Sequence, residues 1–213
     1  MNINIYKPST NTNFNLNSIK AIPTEYKGHL FRSRLEARWA VFFDACGVEW
    51  EYEPEGYDLG DGVRYLPDFL LHDVAGRASG DLYVEVKGRM TAFDAVKIKR
   101  FAEAGMPKDG SCGRSKTPLL VVSKIPDGNE AIDIQDYISN EAYSALHGFP
   151  APFNFETIDG DYFAAHPGIN REGKFELFGD DSNYLCEMDE RATEHAYRLA
   201  RQARFEYGET PKL

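Results

Sequence analysis

Two periodicities divide the first half of the chain into elements. Phe31, Leu35, Trp39, Phe42 and Cys46 recur at three- and four-residue spacings, which predicts a helix over 33–46 with Gly47 as its stop. The next stretch, Val48-Glu49-Trp50-Glu51-Tyr52-Glu53, alternates cleanly and predicts a half-buried strand with one acidic, solvated face. Pro54 and Gly56 end it, and Gly60-Asp61-Gly62 turns the chain into a second strand over 63–71. That strand contains Pro67, which cannot donate to a ladder, so an edge, a bulge or a bend is expected there. A third strand over 82–87 follows, closed by Gly88. Residues 91–104 read as a helix with Ala92, Val96, Ile98 and Phe101 on its apolar side and Gly105 and Pro107 after it. Residues 117–124 form a short strand of the fully buried kind around Leu119-Leu120-Val121-Val122. This strand–helix–strand spacing implies a right-handed parallel crossover.

The pattern thins on either side. Residues 1–24, rich in Asn, Ser and Thr, read as a flexible arm, either a disordered tail or a DNA-contacting segment. Beyond Pro126 a helical pattern covers 131–146, a rigid Pro-containing link covers 149–153, and short β-like pieces fall at 153–157, 161–164 and 174–178. A last helix is expected over 187–207, stopped by Gly208 and Pro211. Its acidic start and the arginines near its end (Arg198, Arg201, Arg204) match the helix dipole.

Composition narrows the setting. A chain of 213 residues with 42% hydrophobic content suits one domain, or one domain with a sizeable extension. No run has the length of a membrane span and the N-terminus lacks a signal pattern, so a soluble, cytoplasmic protein is expected, with no membrane partner. Cys46, Cys112 and Cys186 are far apart and form no C-x-x-C, which argues for structural thiols rather than a disulfide framework or a zinc ribbon. His147, His166 and His195 lack ligand spacing, and Asp180-Asp181 reads as a turn.

The chemistry lies in the strand pair. Alternation puts Glu85 and Lys87 on one face of their strand, with Val84 and Val86 on the other, and Asp68 on the partner strand reaches that face in a suitable register. Two carboxylates beside an ammonium would bind a hard cation through oxygen, the arrangement of phosphodiester chemistry. Each residue also has an ordinary reading: a turn-facing aspartate, and a surface Glu/Lys pair. The alternating Glu49, Glu51 and Glu53 are read as a solvated face and not as a metal cluster. Glu36 fits a Ser33-x-x-Glu36 capping box, satisfying the Ser33 amide, as well as an acid of the site. Arg32, Arg34 and Arg38 are either solvated charges, with Arg32 paired to Glu36 across one helical turn, or phosphate contacts.

Pro67-Asp68 followed by Glu85-Val86-Lys87, with Glu36 upstream, resembles the signature of the PD-(D/E)xK nuclease superfamily. In detail the S-x-x-E, Y-x-P-D-F and E-V-K elements are similar to those of the TnsA nuclease subunit of heteromeric transposases. The run 26–55 is similar to nuclease-like proteins of bacteria and their phages, and the resemblance as a whole covers 26–124. It implies an α/β fold: a restriction-endonuclease-like αβββαβ core over 25–125, with a mixed sheet flanked by helices. Residues 126–213 would then be an α+β extension. It also implies a metal-dependent DNA endonuclease. Asp68, Glu85, the Val86 carbonyl and Glu36 would hold Mg²⁺ or Mn²⁺, and Lys87 would act on the attacking water.

Charge bears on that reading. The net charge of −10 is unusual for a nucleic-acid enzyme, but it is unevenly spread. Residues 1–40 carry six basic and two acidic side chains and 86–124 carry nine and three, while 41–85 and 125–213 carry −9 and −11. The basic segments flank the expected site and hold the candidate DNA contacts Arg32, Arg34, Arg38, Lys97, Lys99 and Arg100. The acidic C-terminal half is expected away from the Asp68–Lys87 surface, or shielding it. A second function class follows from the same charge: a catalytically silent nuclease-fold protein whose acidic half docks on a partner or mimics DNA. A protein partner or a homodimer is compatible with both.

Overall fold

The computed structural model describes residues 21–76, 80–103, 119–127, 166–178 and 187–205. Residues 1–20 of the arm expected over 1–24, the helix at 131–146, the link at 149–153 and the strands at 153–157 and 161–164 lie outside the described residues, as do Cys112, Cys186, His147 and Asp180-Asp181.

Helix α1 (Arg34–Ala45) forms where the periodicity places it. Ser33 is its N-cap, with the hydroxyl accepting from Glu36 N–H, and Gly47 takes the positive φ of 69° that ends the helix. Its apolar surface is wider than the expected stripe. Ala37, Trp39, Ala40, Val41, Phe42 and Phe43 are all buried, because the helix lies between the central sheet and the C-terminal helix α3 (Glu190–Gln202). Phe43 meets Phe69 of the sheet edge to face at 5.3 Å, while Phe42 stacks on Tyr197 of α3 at 4.4 Å and 11°. Each such aromatic pair contributes about 0.5–1.5 kcal/mol beyond the area it buries.

Four strands make the central sheet. Strand β3 (Trp50–Tyr52) pairs antiparallel with β6 (Phe69–Val74), which pairs antiparallel with β7 (Gly80–Val86); β7 is parallel to β8 (Leu119–Val122). The sheet is therefore mixed, in the order β3-β6-β7-β8. The parallel pair agrees with the expected crossover, which carries helix α2 (Ala92–Glu103). The sheet has two buried faces. Leu82, Val84 and Val86 with Leu120 and Val122 pack toward α1; Leu70, Tyr83, Leu119 and Val121 pack toward α2.

Several expectations need correction. The strand expected over 63–71 is two strands in different sheets. Arg64–Tyr65 (β5) pairs with Tyr57–Asp58 (β4), and β6 starts only at Phe69, because Pro67 interrupts the donor pattern between them. On α2 the buried positions are Ala95, Ile98, Phe101 and Ala102; Val96 faces outward, since small alanines rather than the branched side chain meet the sheet. A hairpin of β1 (Thr24–Tyr26) and β2 (His29–Phe31) was not expected; Lys27 and Gly28, with φ of 49° and 80°, make its tight two-residue turn.

The last helix is shorter than the expected 187–207. Asp189 caps it, Gln202 ends it, and Arg204 lies beyond its end. It is not a detached tail. Phe175 and Leu177, from the hairpin of β9 (His166–Ile169) and β10 (Phe175–Phe178), share one apolar cluster with Ala196, Tyr197, Ala200 and the residues of α1. Arg201 ties the helix back to the Pro126 carbonyl. Residues on both sides of the 126 boundary therefore build the same core. No helix among the described residues is long and apolar enough to cross a membrane.

Candidate active site

Asp68 owes its position to Pro67. Phe69 pairs with Val84, so by the same register Asp68 falls opposite Glu85, one step before the ladder begins. At that step Val86 N–H points toward β6 and finds no strand carbonyl, and Asp68 Oδ2 accepts it at 2.7 Å. The Asp68 carbonyl accepts from Glu53 N–H at 2.9 Å, which anchors the residue from the other side. Its second carboxylate oxygen accepts from the Arg32 guanidinium, which also contacts Glu53 at 2.8 Å. Only 2% of Asp68 is exposed, and its carboxyl is pushed up to about 8 by burial and then by the charge of Glu85, against the Val86 N–H.

Glu85 is 3% exposed and takes two donors. Tyr65 donates its hydroxyl to Oε2 at 2.6 Å, and Lys87 Nζ lies 2.6 Å from Oε1. Burial holds the Tyr65 hydroxyl well above its ordinary pKa, and the Glu85 charge adds to that, so it stays a donor. Burial alone would lower Lys87, but Glu85, Asp68 and Asp94 outweigh it and hold the ammonium above the usual lysine value. The reading of Asp68 to Lys87 as a surface is corrected here: both carboxylates are buried, with Tyr65 of β5 and Lys87 on Glu85 and Arg32 on Asp68.

Glu36 is buried, at 7% exposure, and its oxygens are engaged elsewhere. Ser33 donates to Oε1 at 2.7 Å; Tyr52 donates to Oε2 at 2.7 Å and Arg32 N–H at 3.1 Å. The capping box is thus displaced by one residue, because the carboxylate takes the amide of Arg32 and not that of Ser33. Nor does the Arg32 guanidinium pair with Glu36; it turns to Asp68, which is more buried and lies beside Glu53.

A hard cation fits the donor set as a two-carboxylate site. Asp68 and Glu85 lie opposite each other at the end of the β6–β7 ladder, and the Asp68 carboxyl is raised first by burial and then by the Glu85 charge, which a cation would offset. In extended backbone a residue's carbonyl lies on the same side of the strand as its N–H, so the Val86 carbonyl is directed toward the β6 side, where Asp68 lies. Among the described residues no group of three or more His, Cys, Asp or Glu is gathered closely enough to hold a metal ion.

The basic candidates separate into groups. Arg32 sits on the site, with its side chain 56% exposed. Arg34 and Arg38 are half-buried on α1, and Arg38 Nε is buried with no hydrogen-bond partner among the described residues. Lys97 lies 3.8 Å from Asp94, Lys99 is half-buried, and Arg100 approaches Asp61 in the β4–β5 turn at 3.5 Å. Sequence reasoning missed Tyr65, Tyr52 and Asp94. Thr91-x-x-Asp94 is a legible cap signal, and the structure shows both halves: Asp94 N–H to the Thr91 hydroxyl at 3.2 Å and Thr91 N–H to the Asp94 carboxylate at 3.1 Å. Tyr65 stands in the Y-x-P-D-F element, but its partner Glu85 and the Glu36 partner of Tyr52 lie on other elements, so the contacts had no local signal. No protein-family model, curated protein or solved structure matches the chain.

Proposed function

We propose that the protein is a metal-dependent DNA endonuclease of the restriction-endonuclease-like kind. One observation carries the reading: Asp68 and Glu85 meet across two antiparallel strands, with Lys87 on Glu85. The order α1, β3, β6, β7, α2, β8, with β4–β5 as an insertion, supports the αβββαβ assignment.

Asp68, Glu85 and the Val86 carbonyl would hold Mg²⁺ or Mn²⁺. When bound, the ion would activate water and neutralise charge on the scissile phosphate. Tyr65 fixes the Glu85 carboxylate so that Oε1 faces Lys87. Lys87, as an ammonium, would donate to phosphate oxygens as negative charge grows on them, and the attacking water's proton would leave to bulk solvent. Glu36 is a positioning residue: it holds the Arg32 amide and the Tyr52 hydroxyl, and Arg32 reaches Asp68. Arg34, Arg38 and the basic face of α2 would meet the DNA backbone.

The second reading, a silent nuclease-fold binding protein, draws on the engagement of both carboxylates by the protein's own cations, Arg32 and Lys87. Incubating the purified protein and Asp68→Asn with linear, nicked, branched and supercoiled DNA, in Mg²⁺, Mn²⁺ or EDTA, separates the two. Cleavage by the wild type in metal alone, lost in the variant, is expected. Cleavage that persists in EDTA or in the variant would remove this site from the chemistry.

A further inference from the structure

Helix α2 places a large aromatic side chain in solvent beside the site. Phe93 is 66% exposed, and Val96, one turn on, is 38% exposed. Neither is needed for the core, because Ala95, Ile98, Phe101 and Ala102 already fill the inner face of the helix. An isolated exposed phenylalanine is ordinary. This one is not isolated. Lys97 Nζ stands over its ring, 5.1 Å from the centroid. The same ammonium lies 3.8 Å from an Asp94 oxygen that is itself 3.9 Å from Lys87 Nζ. The reciprocal Thr91–Asp94 bonds fix the first turn of α2, so the ring is carried on a rigid support. Arg89, exposed in the connection between Lys87 and the helix, adds positive charge to the same stretch.

An aromatic face beside ammonium groups, next to residues suited to phosphodiester hydrolysis, has the chemistry of a base-stacking platform: the ring takes a base and the cations take its phosphates. We propose that Phe93 and Lys97 stack an unpaired base of the strand entering the Asp68–Glu85 site, so that the preferred substrate is DNA with a single-stranded segment beside the scissile phosphate. The proposal rests on the nuclease reading of that site.

The test is binding of a labelled oligothymidylate and of a duplex of equal length, with Ca²⁺ replacing Mg²⁺ to keep the strands uncut. Wild type, Phe93→Ala, Phe93→Leu and Phe93→Trp are compared after their thermal unfolding is shown to match. Loss of one base stack predicts about tenfold weaker oligothymidylate binding by both the alanine and the leucine variants, with duplex affinity within about twofold. The Phe93→Trp variant binds as wild type, and the fluorescence of its introduced indole is quenched by the strand. Wild-type affinity in the alanine or leucine variant, an introduced indole left unquenched on binding, or equal losses on single strand and duplex each overturn the platform. If the wild type cleaves DNA in Mg²⁺ while Phe93→Ala binds normally, the platform falls and the nuclease reading stands. If Phe93→Ala loses single-strand binding while Asp68→Asn still cleaves, the platform stands and the site assignment falls. A wild type that neither binds nor cleaves DNA overturns both.

Discussion

On the α1 side of the central sheet, Phe31, Phe42, Phe43, Phe69 and Tyr197 meet ring to ring, and two of the polar groups among them donate to backbone carbonyls: Trp39 Nε1–H to Ser123 and the Tyr197 hydroxyl to Pro167. On the α2 side the aromatic residues are mostly tyrosines, packed around Phe101. Tyr57 and Tyr83 share a hydroxyl contact at 2.7 Å, and Tyr65 donates to a buried carboxylate. The first face gains stability from area and shape. The second gives part of that up to hold charged groups out of water, and each of those is costly unless partnered. The same sheet thus carries a scaffold on one side and the proposed site on the other, and substitutions on the two sides have different signatures.

The largest effect is expected from the scaffold. Truncation after Ile125 would strip Phe175, Leu177 and Tyr197 from α1, and we expect no cooperative unfolding transition in the product. Phe42→Ala, a gentler version, should cost about 3–5 kcal/mol in urea denaturation. A truncated chain that unfolds cooperatively would show that the α1 face stands without its cover.

Asp68→Asn comes next and reverses the pattern. The amide oxygen can still accept Val86 N–H, so stability should move by less than about 1 kcal/mol, while cleavage falls at least ~100-fold. Asp68→Ala differs: it leaves Val86 N–H without its acceptor, at a cost of about 1–3 kcal/mol. A stability loss in Asp68→Asn as large as that in Asp68→Ala would mean that the residue holds the fold through its charge.

Smaller effects sharpen the contrast further. Tyr65→Phe removes one donor from Glu85 and should cost about 1–2 kcal/mol, measured by the same denaturation, with a cleavage defect alongside. Glu36→Gln should lower cleavage about tenfold, as expected for a group that acts through Arg32 and Tyr52, with a stability loss of about 1 kcal/mol. If Glu36→Gln matches Asp68→Asn in its cleavage defect, Glu36 belongs among the direct ligands.

The smallest effect lies at the open end of the α2-side face. His72 bridges Asp81 at 3.1 Å and Glu51 at 2.9 Å, linking β7, β6 and β3. Burial alone would lower its pKa, but these two carboxylates outweigh that and raise it. A raised folded value means the bridge stabilises fully below the unfolded histidine pKa of about 6.5 and fades as pH rises through the folded value. His72→Gln should therefore lose about 0.5 kcal/mol on the acid side and match the wild type at high pH, read from unfolding at several pH values.

Much of this was legible in the amino-acid sequence. The α1 periodicity with its Gly47 stop, the alternation of 82–87 and the order of elements around the mixed sheet all rest on local pattern. So did the meeting of Asp68 and Glu85, because an antiparallel register carries one strand's motif to the other. What was hidden depends on partners far away in the chain. The all-round burial of α1 is set by Tyr197 and Phe175, which lie more than a hundred residues on. Arg32 had Glu36 within reach of the local pattern, and only the fold brings it to Asp68 instead. At Pro67 an edge, a bulge or a bend was expected, but whether a proline bends a strand or divides it depends on what the next strand offers. On α2, alternating alanines conceal which side is inward, so Val96 looked like core.

The bond between Asp68 and Val86 N–H has a consequence for spectroscopy. Elsewhere in the sheet an amide exchanges its hydrogen only when strands part, but this one is closed by a single side chain. Its exchange rate and proton resonance therefore follow the whereabouts of one carboxylate rather than the opening of the sheet. Titrating Mg²⁺ or a strand of DNA while watching the Val86 amide would report events at Asp68 directly, with the neighbouring amides of β7 as the internal control.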